Sequence, residues 1–184
     1  MLPIIIPARE ATELWDEQNE MFIPIPAMKE QKLQLEHSLI ALSKWESKWC
    51  KPFFDNNELT PEETIDYIKC MTINSNVDQR AYNYIDQPTM KKIMNYVYAP
   101  MTASSVPDNT GKSTGERITS ELIYYWMVAC GIPFECEKWH LNRLIMLIRI
   151  CNFKNRDPKK MSANELRSKY ASINAARRKK YGKH

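Results

Sequence analysis

Cys136 and His140 stand four residues apart in a stretch of helical spacing. At that separation a thiolate and an imidazole can share a metal ion or act as nucleophile and base. Zinc needs two more ligands, and the other histidines, His37 and His184, lie far off in sequence with no second ligand pair beside them. Nucleophilic chemistry needs an orienting third group and an oxyanion-stabilising signature, and neither is visible. The expectation is therefore a packed thiol beside a helix histidine, with Trp139 and Arg143 one turn apart for a cation–π contact. Gly111-Lys-Ser-Thr114 has the ending of a phosphate-binding loop, but the full pattern requires a Gly where Val106 stands and a hydrophobic strand upstream. It reads as a solvated loop. No catalytic, cofactor-binding or metal-binding residue is assigned, and the expected role is non-enzymatic.

The remaining chemistry is charge. From Lys154 to the C-terminus there are eleven Lys/Arg against Asp157 and Glu165, a balance of +9. The whole chain is +4, so residues 1–153 carry −5. An acidic body with a basic tail points to a partner rather than to a fold. Lys159, Lys160, Arg177, Arg178, Lys179 and Lys180 would suit phosphate backbones. Aromatic platforms are sparse there, with only Tyr170 and Tyr181, and no base-reading motif accompanies the charge. A protein surface is the favoured partner and nucleic acid the lesser one.

Four glycines in 184 residues argue against hairpin-rich β folds and dinucleotide-binding loops. Five cysteines with no CxxC pair read as free thiols of a reducing, cytosolic compartment. The N-terminus lacks the basic and apolar regions of a signal peptide. The longest apolar stretch, residues 122–134, is interrupted by Gly131 and Pro133 and is too short to cross a bilayer, so no membrane association is expected.

The elements that would position these groups follow from periodicity. Residues 1–26 place Ile4–Ile6 and Phe22–Ile25 among four prolines. They read either as two short edge strands in a loose hairpin or as an exposed arm that docks on another subunit. Leu35, Leu39, Leu42, Trp45 and Trp49 make one face of a helix predicted over Met28–Trp49. Thr60-Pro-Glu-Glu63 is a helix start with a capping box, and helices follow around Asp78–Ile85 and Thr89–Val97. Residues 99–115 are linker-like. Helices over Glu116–Cys130 and Glu135–Asn152, joined by three or four residues with Gly131 as C-cap, should form an antiparallel hairpin, the second helix being the most buried element. Ser162-Ala-Asn-Glu165 caps a last helix whose thin stripe of Leu166, Tyr170 and Ile173 needs a surface to sit on. The predicted fold is mainly α: a small helical bundle at 27–153, an extended Pro/Ile-rich arm or hairpin at 1–26, and a basic docking helix and tail at 154–184.

The segments KWESKWCKPF (44–53), PEETIDYIKCMT (61–72), ITSELIYYWMVACGIPFECEKWHLNRLIMLIRICNFKN (118–155), PKKMSANEL (158–166) and INAARRKKYG (173–182) occur together in order. Over most of residues 30–181 they resemble a family of small tailed-bacteriophage proteins encoded near the tape measure gene and called tail assembly chaperones. The resemblance implies binding, with the tape measure protein as partner, a homo-oligomer as a further option, and the host cytoplasm as the place of action. A groove between the 28–49 and 135–152 helices would shield the partner helix. Leu166, Tyr170 and Ile173 would grip, and the tail cations would orient. The alternative is a structural virion subunit of tail, neck or baseplate.

Overall fold

Prolines at positions 3, 7, 24 and 26 decide how the N-terminal third can pair. A proline has no N–H to give to a ladder, so it survives only where its nitrogen faces outward, as both strands of a two-stranded ribbon allow. In the computed structural model, which describes residues 1–55, 59–106, 117–155 and 163–181, the first 35 residues form such a ribbon. Strand β1 (Leu2–Ile6) pairs antiparallel with β4 (Gln31–Leu35), and β2 (Thr12–Asp16) with β3 (Met21–Ile25). A lone bridge, Arg9↔Met28, links the two pairs. Paired positions add to 37 throughout, from Leu2↔Leu35 through Arg9↔Met28 to Asp16↔Met21. It is one hairpin in one register, interrupted at Pro7 and Pro26. At the turn, the Asp16 carboxylate accepts from the Gln18 amide (2.9 Å) and from Asn19 Nδ2 (2.7 Å), while Glu20 takes the left-handed conformation at φ 49°.

This overturns the mainly α reading. Among the described residues the chain is mixed α/β: two two-stranded antiparallel sheets, six α-helices and two 3-10 helices. The helix predicted from Met28 loses its first eleven residues, 28–38, to β4 and the segments on either side of it. Leu33 and Leu35 alternate with Lys32 and Gln34, and the period of two wins because Ile4 and Ile6 pair opposite and bury the same face. Helix α1 (Leu39–Trp49) begins only at Ser38, whose hydroxyl accepts from the Ala41 amide.

Helix α2 (Pro61–Met71) has the predicted capping box in full, Thr60 and Glu63 each accepting the other's backbone N–H. A 3-10 helix (Gln79–Tyr84) and α3 (Gln87–Tyr98) follow, each capped by the preceding aspartate, Asp78 and Asp86. Helix α4 (Ser120–Ala129) starts at Thr119, and Gly131 adopts φ +64° just beyond it, as expected of a C′ glycine. Residues 130–140, with a second 3-10 helix (Phe134–Lys138), separate α4 from α5 (Leu141–Lys154). The short α4–α5 connection expected from sequence is replaced by this longer one. The cause is a tertiary hydrogen bond: the Leu141 amide donates to the His37 carbonyl at 2.6 Å, which restarts the helix there.

Contacts divide the chain into Met1–Cys151 and Asn152–His184. Within the first unit α1 is central. Ala41 and Trp45 join β1, β4, α2 and α3 in one apolar cluster, while Leu39 and Leu42 join α4 and α5 in another. Helix α5 buries only Leu141, Leu144 and Ile148, so α1, not α5, is the more enclosed. Glu46, buried on α1, accepts from the Ser120 amide (2.7 Å) and the Phe53 amide (2.9 Å), so one carboxylate serves an orphan donor at the start of α4 and one in the loop after α1. Residues 71–74 cover the outer edge of β4: Glu36 N–H donates to Met71, Ile73 N–H to Gln34, and Asn74 bridges Gln34 and Lys32.

Candidate protein-docking interface

The faces expected to build a helix-binding groove are core. Leu39, Leu42, Trp45, Leu141 and Leu144 are all fully buried. An apolar cavity lies elsewhere, between α2, α3 and the loop after α1. It holds about 430 Å³ and is lined chiefly by Phe53, Phe54, Leu59, Ile68, Ile93 and Met94. Phe54 is 41% exposed, and Tyr98, also lining it, is 75% exposed. Five polar residues of the wall already have partners. Tyr67 Oη and His37 Nδ1 meet at 2.6 Å, Asn142 Nδ2 donates to the carbonyls of Val97 (2.9 Å) and Ala99 (2.8 Å), Thr64 donates to Thr60, and Asp55 meets Arg117 at 3.8 Å. A cavity of this size whose polar groups are paired internally recognises by apolar contact.

Beneath it is a small aromatic and polar network. The His37 and His140 rings sit 5.0 Å apart, and His140 Nε2 contacts the Tyr96 carbonyl at 3.0 Å. Tyr96 in turn donates to Glu36 at 2.6 Å. Burial, and to a lesser degree the neighbouring His140, pulls the His37 imidazole down to about 3; burial also lowers His140. Burial and the Glu36 partner raise the Tyr96 phenol. The two imidazoles and the Tyr67 and Tyr96 phenols join the segments around β4, α2, α3 and α5 as neutral hydrogen-bonding parts. Cys136 is buried in its 3-10 helix, the packed thiol foreseen, and the Arg143 guanidinium lies 4.2 Å from the Trp139 ring centre. Among the described residues no three His, Cys, Asp or Glu side chains converge as a metal set, and no helix is long and apolar enough to cross a membrane.

Two further surfaces expose apolar or basic side chains. Helix α6 (Ala163–Tyr181) is a continuous 19-residue helix. On it Tyr170 is 60% exposed, Ile173 37%, and Arg177 and Arg178 are exposed. Lys159, Lys160, the Ser162 cap and Gly111–Thr114 lie outside the described residues, as do the side chains of Leu166, Lys179 and Lys180. The second surface is the distal ribbon. Leu14, Trp15, Met21, Phe22 and Ile23 are between 42% and 60% exposed, and the Trp15 and Phe22 rings meet edge-on at 4.9 Å. Two paired strands with apolar side chains exposed on both faces are marginal in water on their own, which makes the ribbon a candidate contact surface. The sequence pointed to this arm through its prolines and isoleucines. It missed the cavity, whose residues come from segments up to 105 positions apart, from His37 to Asn142.

Comparison with models of known protein families, with curated proteins and with solved structures found no match.

Proposed function

We propose that this chain is a non-enzymatic morphogenesis factor of tailed phage, a chaperone that binds the tape measure protein during tail assembly in the host cytoplasm. The resemblance across residues 30–181 supplies the class. The observation that carries the binding mode is the apolar cavity between α2 and α3, with Phe54 and Tyr98 exposed along it. An aggregation-prone helix needs its apolar side chains covered, and a cavity with internally paired polar groups covers them without demanding a sequence.

Co-expression with the tape measure protein and affinity capture tests this. The expected result is co-purification, weakened at least about tenfold by Phe54→Asp with Tyr98→Asp, which change exposed side chains at the cavity. No capture from cells holding both proteins would sink the reading. A structural virion subunit is the second reading, favoured by the distal ribbon, since an apolar arm suits permanent docking between subunits. Mass spectrometry of purified particles separates the two: a chaperone is absent, a subunit is stoichiometric.

A further inference from the structure

The distal ribbon carries the opposite charge to α6. Residues 12–25 contain Glu13, Asp16, Glu17 and Glu20 and no Lys or Arg, a charge of −4. Residues 163–181 contain six Lys/Arg and one acid, Glu165, a charge of +5. Each also exposes apolar side chains: Leu14, Trp15, Phe22 and Ile23 on the ribbon, Tyr170 and Ile173 on the helix. We propose that the distal ribbon of one copy docks on α6 of a second copy, so that the protein associates head to tail.

The lengths agree. On α6, Tyr170, Ile173 and Arg177 share one face, and the step from Tyr170 to Arg177 is roughly 10 Å at 1.5 Å per residue. On the ribbon, Ile23 stands roughly 7 Å from Met21 at about 3.3 Å per residue, and Glu20 follows in the turn just beyond, a comparable distance from the apolar group. Apolar contacts and charge pairs can therefore form together when the C-terminal end of α6 points to the ribbon's turn. Pairing of two ribbons with each other is disfavoured, because it would set −4 against −4 within a Debye length of roughly 8 Å at physiological salt. A ribbon–helix contact is heterologous: each copy offers one ribbon and one helix, and every bound copy leaves one of each free for the next. The inference goes beyond the chaperone reading and is tested on pure protein with no phage component.

Sedimentation of the full chain over a range of concentrations and salt provides the test. The wild type should gain mass with concentration and lose it as salt rises. Trp15→Ser with Phe22→Ser removes the ribbon contact, and Arg177→Glu with Arg178→Glu removes the helix contact; each double variant alone should sediment as a single copy. Mixed together, the first still has a working helix and the second a working ribbon, so the mixture should form a complex of two copies and stop there. Glu17→Lys with Glu20→Lys, placed in the same chain as the Arg177 and Arg178 reversals, should restore the association that either pair abolishes. A wild type that stays a single copy at every concentration overturns the proposal. So does a variant that assembles like the wild type, or a mixture that fails to pair.

Discussion

The two halves of the N-terminal ribbon share one register and one style of sequence, with β-branched and apolar residues, a proline in each half's strands, and no buried charge. Their surroundings differ completely. In the proximal half Ile4, Ile6, Leu33 and Leu35 are at most 3% exposed, and residues 71–74 cover the edge of β4. In the distal half Leu14, Trp15, Met21, Phe22 and Ile23 are all more than 40% exposed, and Ile25, next to the proximal half, is half-buried. Apolar content alone therefore does not say whether a strand is core or interface. What separates the halves is whether the chain returns to cover them, and the uncovered half is the one with acidic residues around its turn.

Several measurements would break or sharpen that contrast. The largest effect is expected in the anchored half: Leu33→Ala should cost about 2–5 kcal/mol in urea unfolding, as a fully buried leucine does when a cavity is left. A loss under about 1 kcal/mol would erase the distinction between the halves.

Between pH 7 and 5, above the carboxylate range, acid should act on the anchored side. The His37 imidazole is pulled down to about 3, while in the unfolded chain it takes up a proton near the ordinary value of 6.5. The folded state then binds fewer protons between those values, so the stabilisation is present in full above about pH 6.5 and is lost as pH falls toward 3. The slope approaches about 1.4 kcal/mol per pH unit, and His140, also lowered, adds in the same direction. Urea midpoints at pH 7, 6 and 5, above the carboxylate range, should fall in the wild type and fall less steeply in His37→Gln. A flat wild-type profile would contradict the neutral, buried pair.

Glu46→Ala should cost about 1–3 kcal/mol, because the Phe53 and Ser120 amides lose their acceptor. Thr60→Ala, which opens the capping box of α2, should cost about 1 kcal/mol. Smallest of all, Trp15→Ser or Phe22→Ser should change monomer stability by no more than about 0.5 kcal/mol, since the side chains they remove are largely in water already. A large loss there would mean that the distal ribbon is part of the core.

Much of the helical framework was legible in advance because its signals are local. Thr60–Glu63 and Gly131 mark ends through atoms within four residues of themselves, and the structure places helix ends at both, whereas Asp86 and Thr119 cap helices that the sequence reading began at Thr89 and Glu116. The cation–π pair of Trp139 and Arg143 was legible for the same reason. The errors are non-local. Leu35 fits a helical stripe with Leu39 and Leu42, and only β1, some 30 residues upstream, turns it into a strand. The wide apolar arc of α5 reads as the most buried helix, yet no element covers all of it. The cavity wall draws on residues from His37 to Asn142 and has no sequence signature.

By itself the sequence determined the helix caps, the division between an acidic body and a basic C-terminal helix, and the identity of two segments with more apolar or charged surface than they can satisfy alone. Caps and charge are properties of neighbouring residues, fixed before the chain collapses. Tertiary structure decided which period Leu33 and Leu35 obey, which apolar faces close into core around α1, and where the cavity lies. Those outcomes depend on burial between segments far apart in sequence, where the free energy of covering apolar surface outweighs the small local preferences that favour one backbone conformation over another.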